Sequence, residues 1–282
     1  MKVASALTHG RPEELQQALA ALRHAADSAG VELRVDPTEI AEKGKARAEQ
    51  IDVQDPLRDD VELCFALGGD GTILRALRRY AGTEVPVYAV NFGAIGFLAT
   101  IEPDEMAAGF EAAFKRDFEV LALPAITFDG PNSTFTAMND VSLHRLPDQR
   151  IAELGYIVAG AEVGNVRCDG LVAATPVGST GYNLANGGPL LAWGVEGYVV
   201  TFIAPHSLTA RPLVIAPDDT LEIENRSQAA VEIAVDGRPI GELLEPGDSL
   251  RVRWVSEAGH LAQLPGSSFY ERARDRFGRL AS

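Results

Sequence analysis

The sequence predicts an α/β domain with a Rossmann-like parallel sheet, followed by a mostly antiparallel β domain. Up to Arg116, short apolar runs alternate with segments of helical periodicity, as in a parallel sheet covered by helices. After Phe118, short strand-like runs are separated by Gly, Pro, Asn and Asp, and helical periodicity is scarce. A last segment, 267–280, again has helical spacing, with aromatic residues on one face.

In the first half, predicted helices and strands surround a glycine-rich stretch. The apolar spacing predicts helices over 13–29, 73–80 and 105–116 and strands over 62–67 and 86–91. A turn follows at 93–98. Gly68–Thr72 therefore lies between a buried strand and a helix.

In the second half, the predicted strands are short and divided by turn residues. They cover 125–128, 153–158, 171–174, 198–203, 220–224, 230–235 and 249–255. A helix is expected after Gly178, with Ser179 or Thr180 as its N-cap. Asp236-Gly237 predicts a hairpin turn, to which no chemistry is assigned.

Composition excludes several classes of protein. The net charge of −15 argues against a general nucleic-acid surface, which needs basic patches. A polyphosphate site would have to be built locally from Arg side chains, backbone N–H groups and a divalent cation. No apolar segment is long enough for a signal peptide or a membrane span, so we predict a cytoplasmic protein without membrane contact. Cys64 and Cys168 predict free thiols rather than a zinc site or disulfide.

The first motif that could take part in catalysis or ligand binding is Gly68-Gly69-Asp70-Gly71-Thr72. Glycines let the backbone approach a ligand, and a helix N-terminus binds anions such as phosphate. A carboxylate in such a loop would serve a metal or a hydroxyl. The alternative is an Asp-Gly turn without function, and several kinase classes use similar loops.

The second motif runs from Asp169 to Pro189 and contains Thr175-Pro176-Val177-Gly178-Ser179-Thr180-Gly181-Tyr182. A strand ends here and a helix begins, so hydroxyls, N–H groups, Tyr182 and Asn183 gather at one junction. This suits a pocket for ribose phosphate and adenine. The alternative is a glycine-rich turn that only caps a helix.

The two motifs in this order resemble the NAD kinase family. Asn139-Asp140, the stretch 204–212 and Phe269-Tyr270-Glu271 match further family segments, so the resemblance runs from residue 62 to residue 277. Gly181 and Asn183 depart from the family's usual Ala and Ser. The resemblance implies the two-domain fold of that family, with domains at 1–117 and 118–264 and a terminal helix, 265–282, that packs back on the first.

The resemblance also implies residue roles. Asp70 would contact the 2'-hydroxyl of the adenosine ribose of NAD and accept its proton. A carboxylate is a weak base at neutral pH, so orientation of the hydroxyl and late proton capture are the expected contributions. The N–H groups of the loop residues Gly68, Gly69, Gly71 and Thr72 would bind the triphosphate. Arg75 would either point back towards them or be an ordinary solvated arginine. Mg²⁺ would arrive with the nucleotide.

For NAD, the family implies a set of contacts in the second domain. Asn139 and Asp140 would lie at adenine and ribose, and Arg150 and Arg167 at the pyrophosphate. The remaining expected contacts are Asp169, Thr180, Gly181, Tyr182, Asn183, Leu184, Ala185 and Ala204. His206 is interpreted as structural. A homodimer or homotetramer is expected, with sites near subunit interfaces.

Alternatives remain at this point. The phosphoryl donor could be ATP, another triphosphate or polyphosphate, and NADH could replace NAD as acceptor. A lipid kinase with a similar loop and a non-catalytic dinucleotide-binding regulator are the competing functions. Thr175–Tyr182 favours an NAD kinase over the lipid kinase, and Asp70 disfavours the regulator.

Overall fold

The computed structural model describes residues 1–9, 12–35, 60–92, 96–99, 101–130 and 133–278. They form two compact units, one from the described residues up to Leu123 and from Ala258 onward, and one from Pro124–Glu257. The domain boundaries expected from the sequence lie after residues 117 and 264, whereas these two units divide after residues 123 and 257. The difference arises because strands β5 (Glu119–Asp129) and β16 (Ser249–Gln263) each continue from one unit into the other.

The first unit contains the predicted parallel sheet. Its first four strands lie in the order β2-β1-β3-β4, and each neighbouring pair is parallel. The end of β16 pairs in parallel with β4 through His260–Ala262. These four strands are β1 (Val3–Thr8), β2 (Glu32–Val35), β3 (Leu63–Gly68) and β4 (Pro86–Asn91). The Rossmann-like fold class is confirmed.

The helices follow the predicted apolar spacing. They are α1 (Pro12–Ala29), α2 (Asp70–Arg79), α3 (Met106–Phe114), α4 (Tyr182–Ala185) and α5 (Phe269–Phe277), with short 3-10 turns at Pro103–Glu105 and Gly178–Thr180. Residues 93–95 of the predicted turn and 279–280 of the predicted terminal helix lie outside the described residues.

The core of the first unit explains why its strands read as continuous apolar runs. Every residue of β1 and β3 is buried, as expected for a sheet covered on both faces. The ring of Phe65 packs against those of Tyr88 and Phe110, with centroids 5.7 and 5.6 Å away. The helix α5 belongs to this unit, which confirms that the terminal helix packs back on the α/β domain.

The second unit is antiparallel, as predicted. One sheet has the order β12-β11-β10-β7-β14-β15, with antiparallel neighbours; β13 pairs with β8 and β16, and β8 with β9. The strands not yet bounded are β6 (Thr134–Ala137), β7 (Asp140–Arg145), β8 (Ala152–Val158), β9 (Ala161–Cys168), β10 (Gly170–Ala174), β11 (Tyr198–Ile203), β12 (Leu213–Ile215), β13 (Leu221–Asn225), β14 (Val231–Val235) and β15 (Arg238–Leu244).

Alternate residues of both sets of strands fill one apolar core, to which β7, β10 and β11 contribute along with β8 and β13. Cys168 lies in this core, and burial raises the pKa of its thiol to about 12. Cys64 is buried in β3.

Across the described ranges, no helix combines the length and the apolar character needed to cross a membrane.

Candidate active site

The Gly-Gly-Asp-Gly-Thr motif forms the end of a strand and the first turn of a helix. Gly68 is the last residue of β3, Gly69 is the N-cap, and α2 begins at Asp70. The helix was expected only from residue 73. It begins earlier because Gly69 supplies the carbonyl that accepts hydrogen bonds from the N–H groups of Thr72 and Ile73, at 2.8 and 3.3 Å.

That turn bears on the predicted phosphate site. The N–H of Thr72 already donates to the carbonyl of Gly69, and its side chain is buried, so its contact with phosphate stays a prediction that would require this N–H to be shared. The N–H groups of Asp70 and Gly71 are the first of the helix and have no carbonyl one turn earlier to bind. They are the donors that an anion would meet at this N-terminus.

Gly68 is packed too closely for any side chain. A Cβ there would overlap the side chain of Thr72 and the carbonyl oxygen of His9. Gly71, in contrast, has open space around its Cα. The two glycines thus serve different purposes, close packing at Gly68 and an unobstructed approach to the backbone at Gly71.

The carboxylate of Asp70 is held by two backbone donors. Its Oδ2 accepts a hydrogen bond from the N–H of Phe97 at 2.8 Å, and its Oδ1 accepts one from Leu98 at 3.2 Å. The side chain is half-buried. An ionised carboxylate has about four acceptor positions, so each oxygen can still accept a further hydrogen bond, such as that of a substrate hydroxyl.

Arg75 lies one turn along α2 and reaches the neighbouring strand. Its Nη2 donates to the carbonyl of Thr8 at 3.1 Å. Thr8 ends β1 and pairs with Leu67 of β3, so Arg75 lies at the carboxyl edge of the sheet, beside the glycine-rich turn. The guanidinium therefore points back towards the motif, while its contact with nucleotide stays a prediction.

In the second unit, the Asn139-Asp140 pair is held by a hairpin turn. The Oδ1 of Asp236 accepts hydrogen bonds from the N–H groups of Asn139 and Asp140, at 2.7 and 3.2 Å, and its Oδ2 accepts one from Met138 at 3.3 Å. Asp236 and Gly237 both have positive φ, 46° and 74°, which confirms the predicted turn between β14 and β15.

The side chains of this pair carry unused acceptors. Among the described residues, the Oδ1 atoms of Asn139 and Asp140 are buried and have no hydrogen-bond partner. Asp140 is only 4% exposed, and burial together with the charge of Asp236 raises its pKa to about 7. Buried acceptors without partners are costly, so they suit a ligand that brings hydroxyl or amino donors.

The turn after β10 is packed directly on this pair. The N–H of Thr175 donates to Asn139 at 2.8 Å, and its hydroxyl donates to Met138 at 2.6 Å. A Cβ at Gly178 would overlap the backbone of Asn139. The Thr-Pro-x-Gly sequence therefore brings the second motif against Asn139.

The predicted N-caps at Ser179 and Thr180 are wrong. The N-cap of α4 is Gly181, which has no side chain to cap with. The Ser179 and Thr180 hydroxyls donate backwards instead, to the carbonyls of Pro176 and Val177 at 2.7 and 3.0 Å. Such local bonds compete with capping, and they stabilise the 3-10 turn before the helix.

Asn183 is turned into the protein. Its Nδ2 donates to the carbonyls of Ser179 and Pro189, both at 2.9 Å, and its Oδ1 accepts from the Thr201 hydroxyl at 2.6 Å. The side chain is fully buried. Because both N–H groups are used, the Asn183 side chain has no donor left for a nucleotide.

Other predicted residues of α4 and its N-terminus are accessible. Gly181, Tyr182 and Ala185 are exposed, and Thr180 and Leu184 are partly so. The ring of Tyr182 lies 5.7 Å from that of His144, centroid to centroid. His144 also contacts the Ser142 hydroxyl at 2.9 Å, and burial lowers its pKa while Glu232 acts in the opposite direction.

The remaining predicted contacts lie near the ends of β9 and β11. Asp169 forms a half-exposed ion pair with Arg145, 2.6 Å from Nε to Oδ1. Arg150, Arg167 and Ala204 are exposed, and Ala204 has a left-handed φ of 44°. The carbonyl of Arg167 accepts the N–H of His206 at 2.7 Å, so these two segments run side by side.

Three residues to which the sequence assigned no role in the site contact the predicted ones or their neighbours. Asp236 fixes Asn139-Asp140, His144 contacts Tyr182, and Arg272 of α5 donates to the carbonyls of Phe97 and Leu98. The Asp-Gly dipeptide predicted the turn that contains Asp236, but it did not indicate that this side chain holds Asn139-Asp140. Nothing in the sequence marks the other two.

Within the described part of the chain, no cluster of three or more His, Cys, Asp or Glu side chains could hold a metal ion. A cation that arrives with a nucleotide would need no such cluster.

Comparison with protein families gives two matches. The model described as the ATP-NAD kinase N-terminal domain matches residues 23–118, and that described as the ATP-NAD kinase C-terminal domain matches residues 138–263. Among curated relatives, the NAD kinase of Gemmatimonas aurantiaca is 36% identical over 227 residues, 77% of this chain and 78% of the relative. That of Lachnoclostridium phytofermentans is 36% identical over 231 residues, covering 78% and 81%.

Solved structures agree with this fold. Yeast NADH kinase complexed with NADH matches with a TM-score of 0.82 and 25% identity, covering 100% of this chain and 89% of that one. An NAD kinase from Archaeoglobus fulgidus in complex with ATP matches with a TM-score of 0.74 and 20% identity, covering 99% and 98%.

Proposed function

The chain belongs to the ATP-NAD kinase family, and we propose that it moves the terminal phosphoryl group of ATP to the 2'-hydroxyl of the adenosine ribose of NAD. It is an enzyme that phosphorylates NAD. The donor, the hydroxyl and the roles of individual residues are the proposed part.

The observation that carries the proposal is the fixed carboxylate of Asp70. Two backbone N–H groups set its position at the carboxyl end of β3, beside a helix N-terminus suited to phosphate. A carboxylate in that place can accept the hydrogen bond of a ribose hydroxyl and orient its oxygen towards the terminal phosphorus.

The reaction needs little from the protein beyond positioning. The 2'-oxygen forms a bond to the terminal phosphorus, the bond from that phosphorus to the ADP oxygen breaks, and ADP leaves with the electron pair. The hydroxyl proton passes to Asp70. In a loose transition state this transfer comes late, so a weakly basic carboxylate suffices.

For the donor we propose ATP, in agreement with the family description. Its phosphates would meet the N–H groups of Asp70 and Gly71 at the start of α2, with Gly68 and Gly69 shaping the backbone and Arg75 adding positive charge. Mg²⁺ would come with the triphosphate as part of the substrate. This local site offsets the net charge of −15, which repels polyphosphate at long range.

For NAD we propose that the unused acceptors of Asn139 and Asp140 receive hydrogen bonds from adenine and ribose. Arg150 and Arg167 remain candidates for contact with the pyrophosphate. The candidates for contact with the rest of the NAD molecule are Asp169, Ala204 and the accessible residues of 180–185. Asn183 would act indirectly, by holding the turn in which these residues lie. A homodimer or homotetramer, with sites near subunit interfaces, also remains a proposal.

The test is a panel of donors and acceptors with the full-length protein. NAD and NADH would each be offered with ATP or polyphosphate and Mg²⁺, and the 2'-phosphorylated product would be identified by an NADP-specific dehydrogenase. Diacylglycerol with ATP is the control for a lipid kinase. We expect NADP from NAD and ATP; phosphorylation of the lipid alone, or binding of NAD without turnover, would contradict the proposal.

A further inference from the structure

The terminal helix α5 is linked to the segment 96–99 by the half-buried guanidinium of Arg272. Nη1 of Arg272 donates to the carbonyl oxygen of Phe97 at 2.7 Å and to that of Leu98 at 3.3 Å. The side chain is half-buried. Its neighbours on the helix, Arg274 and Arg276, are exposed.

One peptide group joins Arg272 to Asp70. The carbonyl of Phe97 and the N–H of Leu98 belong to the same planar unit, and they point in opposite directions. The carbonyl accepts from Arg272, while the N–H donates to Oδ1 of Asp70 at 3.2 Å. A hydrogen bond at one end of a peptide group strengthens the dipole at its other end, so the two bonds support each other.

The charge of Asp70 and the packing of Phe97 both favour a close contact between α5 and the segment 96–99. Burial lowers the pKa of Arg272, and the negative charge of Asp70 opposes that shift, so the two side chains interact electrostatically. The Phe97 ring also packs against those of Phe269 and Phe277 at both ends of α5, with centroids 5.5 and 6.1 Å away. The segment that holds Asp70 is thereby fixed on its far side by α5.

We propose that Arg272 is a positioning residue for phosphoryl transfer, which holds the carboxylate of Asp70 in place through the Phe97–Leu98 peptide group. The inference rests on the proposed function, because it assumes that Asp70 orients the reacting hydroxyl. Arg272 itself need not touch either substrate. Its removal should therefore affect turnover more than the affinity for NAD.

The first test compares Arg272→Met and Arg272→Lys with Arg274→Met, an exposed arginine on the same helix. We expect Arg272→Met to lower kcat by about tenfold or more with KM for NAD changed less than about threefold, as for a lost orienting contact. Lysine can still donate to one carbonyl, so Arg272→Lys should recover part of kcat. Arg274→Met should behave like the wild type.

The second test asks whether Arg272 acts through Asp70. If it does, Arg272→Met should lower kcat strongly in the wild type but hardly at all in the Asp70→Asn background, because the group it positions is already gone. A structural role alone would multiply the two losses. Equal effects of Arg272→Met in both backgrounds would overturn the inference.

Gly96→Ala tests separately, with α5 intact, whether turnover depends on the position of the Asp70 carboxylate. A Cβ at Gly96 would lie 2.5 Å from Oδ1 of Asp70, and only the end of that side chain stands in its way. The protein should fold, with a melting temperature close to the wild type, and lose kcat as Arg272→Met does. If Arg272→Met does not fold, Arg272→Lys and Gly96→Ala decide the question; wild-type kcat in both would contradict the inference.

The outcomes separate this inference from the proposed function. Wild-type protein that makes NADP while the Arg272 variants keep full kcat would refute the positioning role alone. Wild-type protein that makes no NADP from NAD would refute the proposed function, and the positioning role with it.

Discussion

Asp236 holds the backbone of Asp140 while its charge opposes ionisation of the Asp140 side chain. Oδ1 of Asp236 accepts the N–H of Asp140 at 3.2 Å, and the N–H of Asp236 donates back to the Asp140 carbonyl at 2.9 Å. Burial and the nearby carboxylate raise the pKa of Asp140 to about 7. The residue is thus fixed in place and easily protonated near neutral pH.

The first prediction concerns stability against pH. At pH values between 3.8 and about 7, the unfolded chain has Asp140 ionised whereas the folded protein has it protonated. The contribution of the Asp140 carboxyl to the free energy of unfolding is therefore fully present at low pH. It decreases as the pH rises to about 7 and then stays constant. Asp140→Asn should remove that decline, so its stability relative to the wild type should rise between about pH 4 and about pH 8.

Urea unfolding of the wild type and of Asp140→Asn, at about pH 4 and at about pH 8, measures this difference in stability. Asp248→Asn, in an exposed turn, is the control. A constant stability difference between Asp140→Asn and the wild type across this range would show that the Asp140 carboxyl titrates alike in the folded and unfolded states.

The second prediction concerns the hairpin. Asp236→Ala removes the acceptor for three backbone N–H groups and should cost roughly 1–3 kcal/mol of unfolding free energy. Because Asn139 and Asp140 then lose their support, we expect KM for NAD to rise by about tenfold, with a smaller change in kcat. Asp236→Asn keeps an oxygen acceptor, so its stability and its KM for NAD should lie between those of the wild type and of Asp236→Ala. Unchanged KM in folded Asp236→Ala, with Asp248→Ala as control, would rule out this support.

The sequence predicted the elements whose burial follows a simple period. Strand β4 has the predicted bounds, 86–91, because a run of apolar residues leaves one interpretation. The start of α2 was misplaced, since two glycines argue against a helix there, while a hydrogen bond from Thr72 to Gly69 closes its first turn. Local propensity was overridden by the backbone geometry of the site.

The place of Asp70 in the glycine-rich turn was predictable, but the groups that hold its carboxylate were not. A carboxylate within a glycine-rich turn marks Asp70 in the sequence. Its partners are the N–H groups of Phe97 and Leu98, and a backbone donor leaves no trace in residue identity. Arg272 is one of several arginines in an amphipathic helix. Only the fold distinguishes it from its exposed neighbours.

The third prediction tests Asn183 as an internal support. Asn183→Ala leaves the carbonyls of Ser179 and Pro189 without their donor and should cost roughly 2–5 kcal/mol. Because Thr201 donates to Oδ1 of Asn183 at 2.6 Å, a double-mutant cycle with Thr201→Val should show a coupling of roughly 0.5–3 kcal/mol.

Chemical denaturation measures both quantities, and Asn186→Ala, whose amide makes a single exposed hydrogen bond to Tyr182, is the matched control. Additive effects of Asn183→Ala and Thr201→Val would contradict the assigned contact. An Asn183→Ala protein of normal stability that fails to bind NAD would instead indicate direct contact with the nucleotide.

The fourth prediction separates orientation from binding at Asp70. Asparagine retains one oxygen that can accept from Phe97 or Leu98, but its amide nitrogen cannot accept the hydroxyl proton. Asp70→Asn should therefore lower kcat by roughly 10²–10⁴-fold. The Kd for NAD, measured by calorimetry, should change by less than about threefold, because most of the proposed NAD contacts are acceptors and exposed groups of the second unit. Near-normal turnover in the purified variant would exclude Asp70 as the proton acceptor, and a large loss of NAD affinity would show that its main contribution is binding rather than orientation.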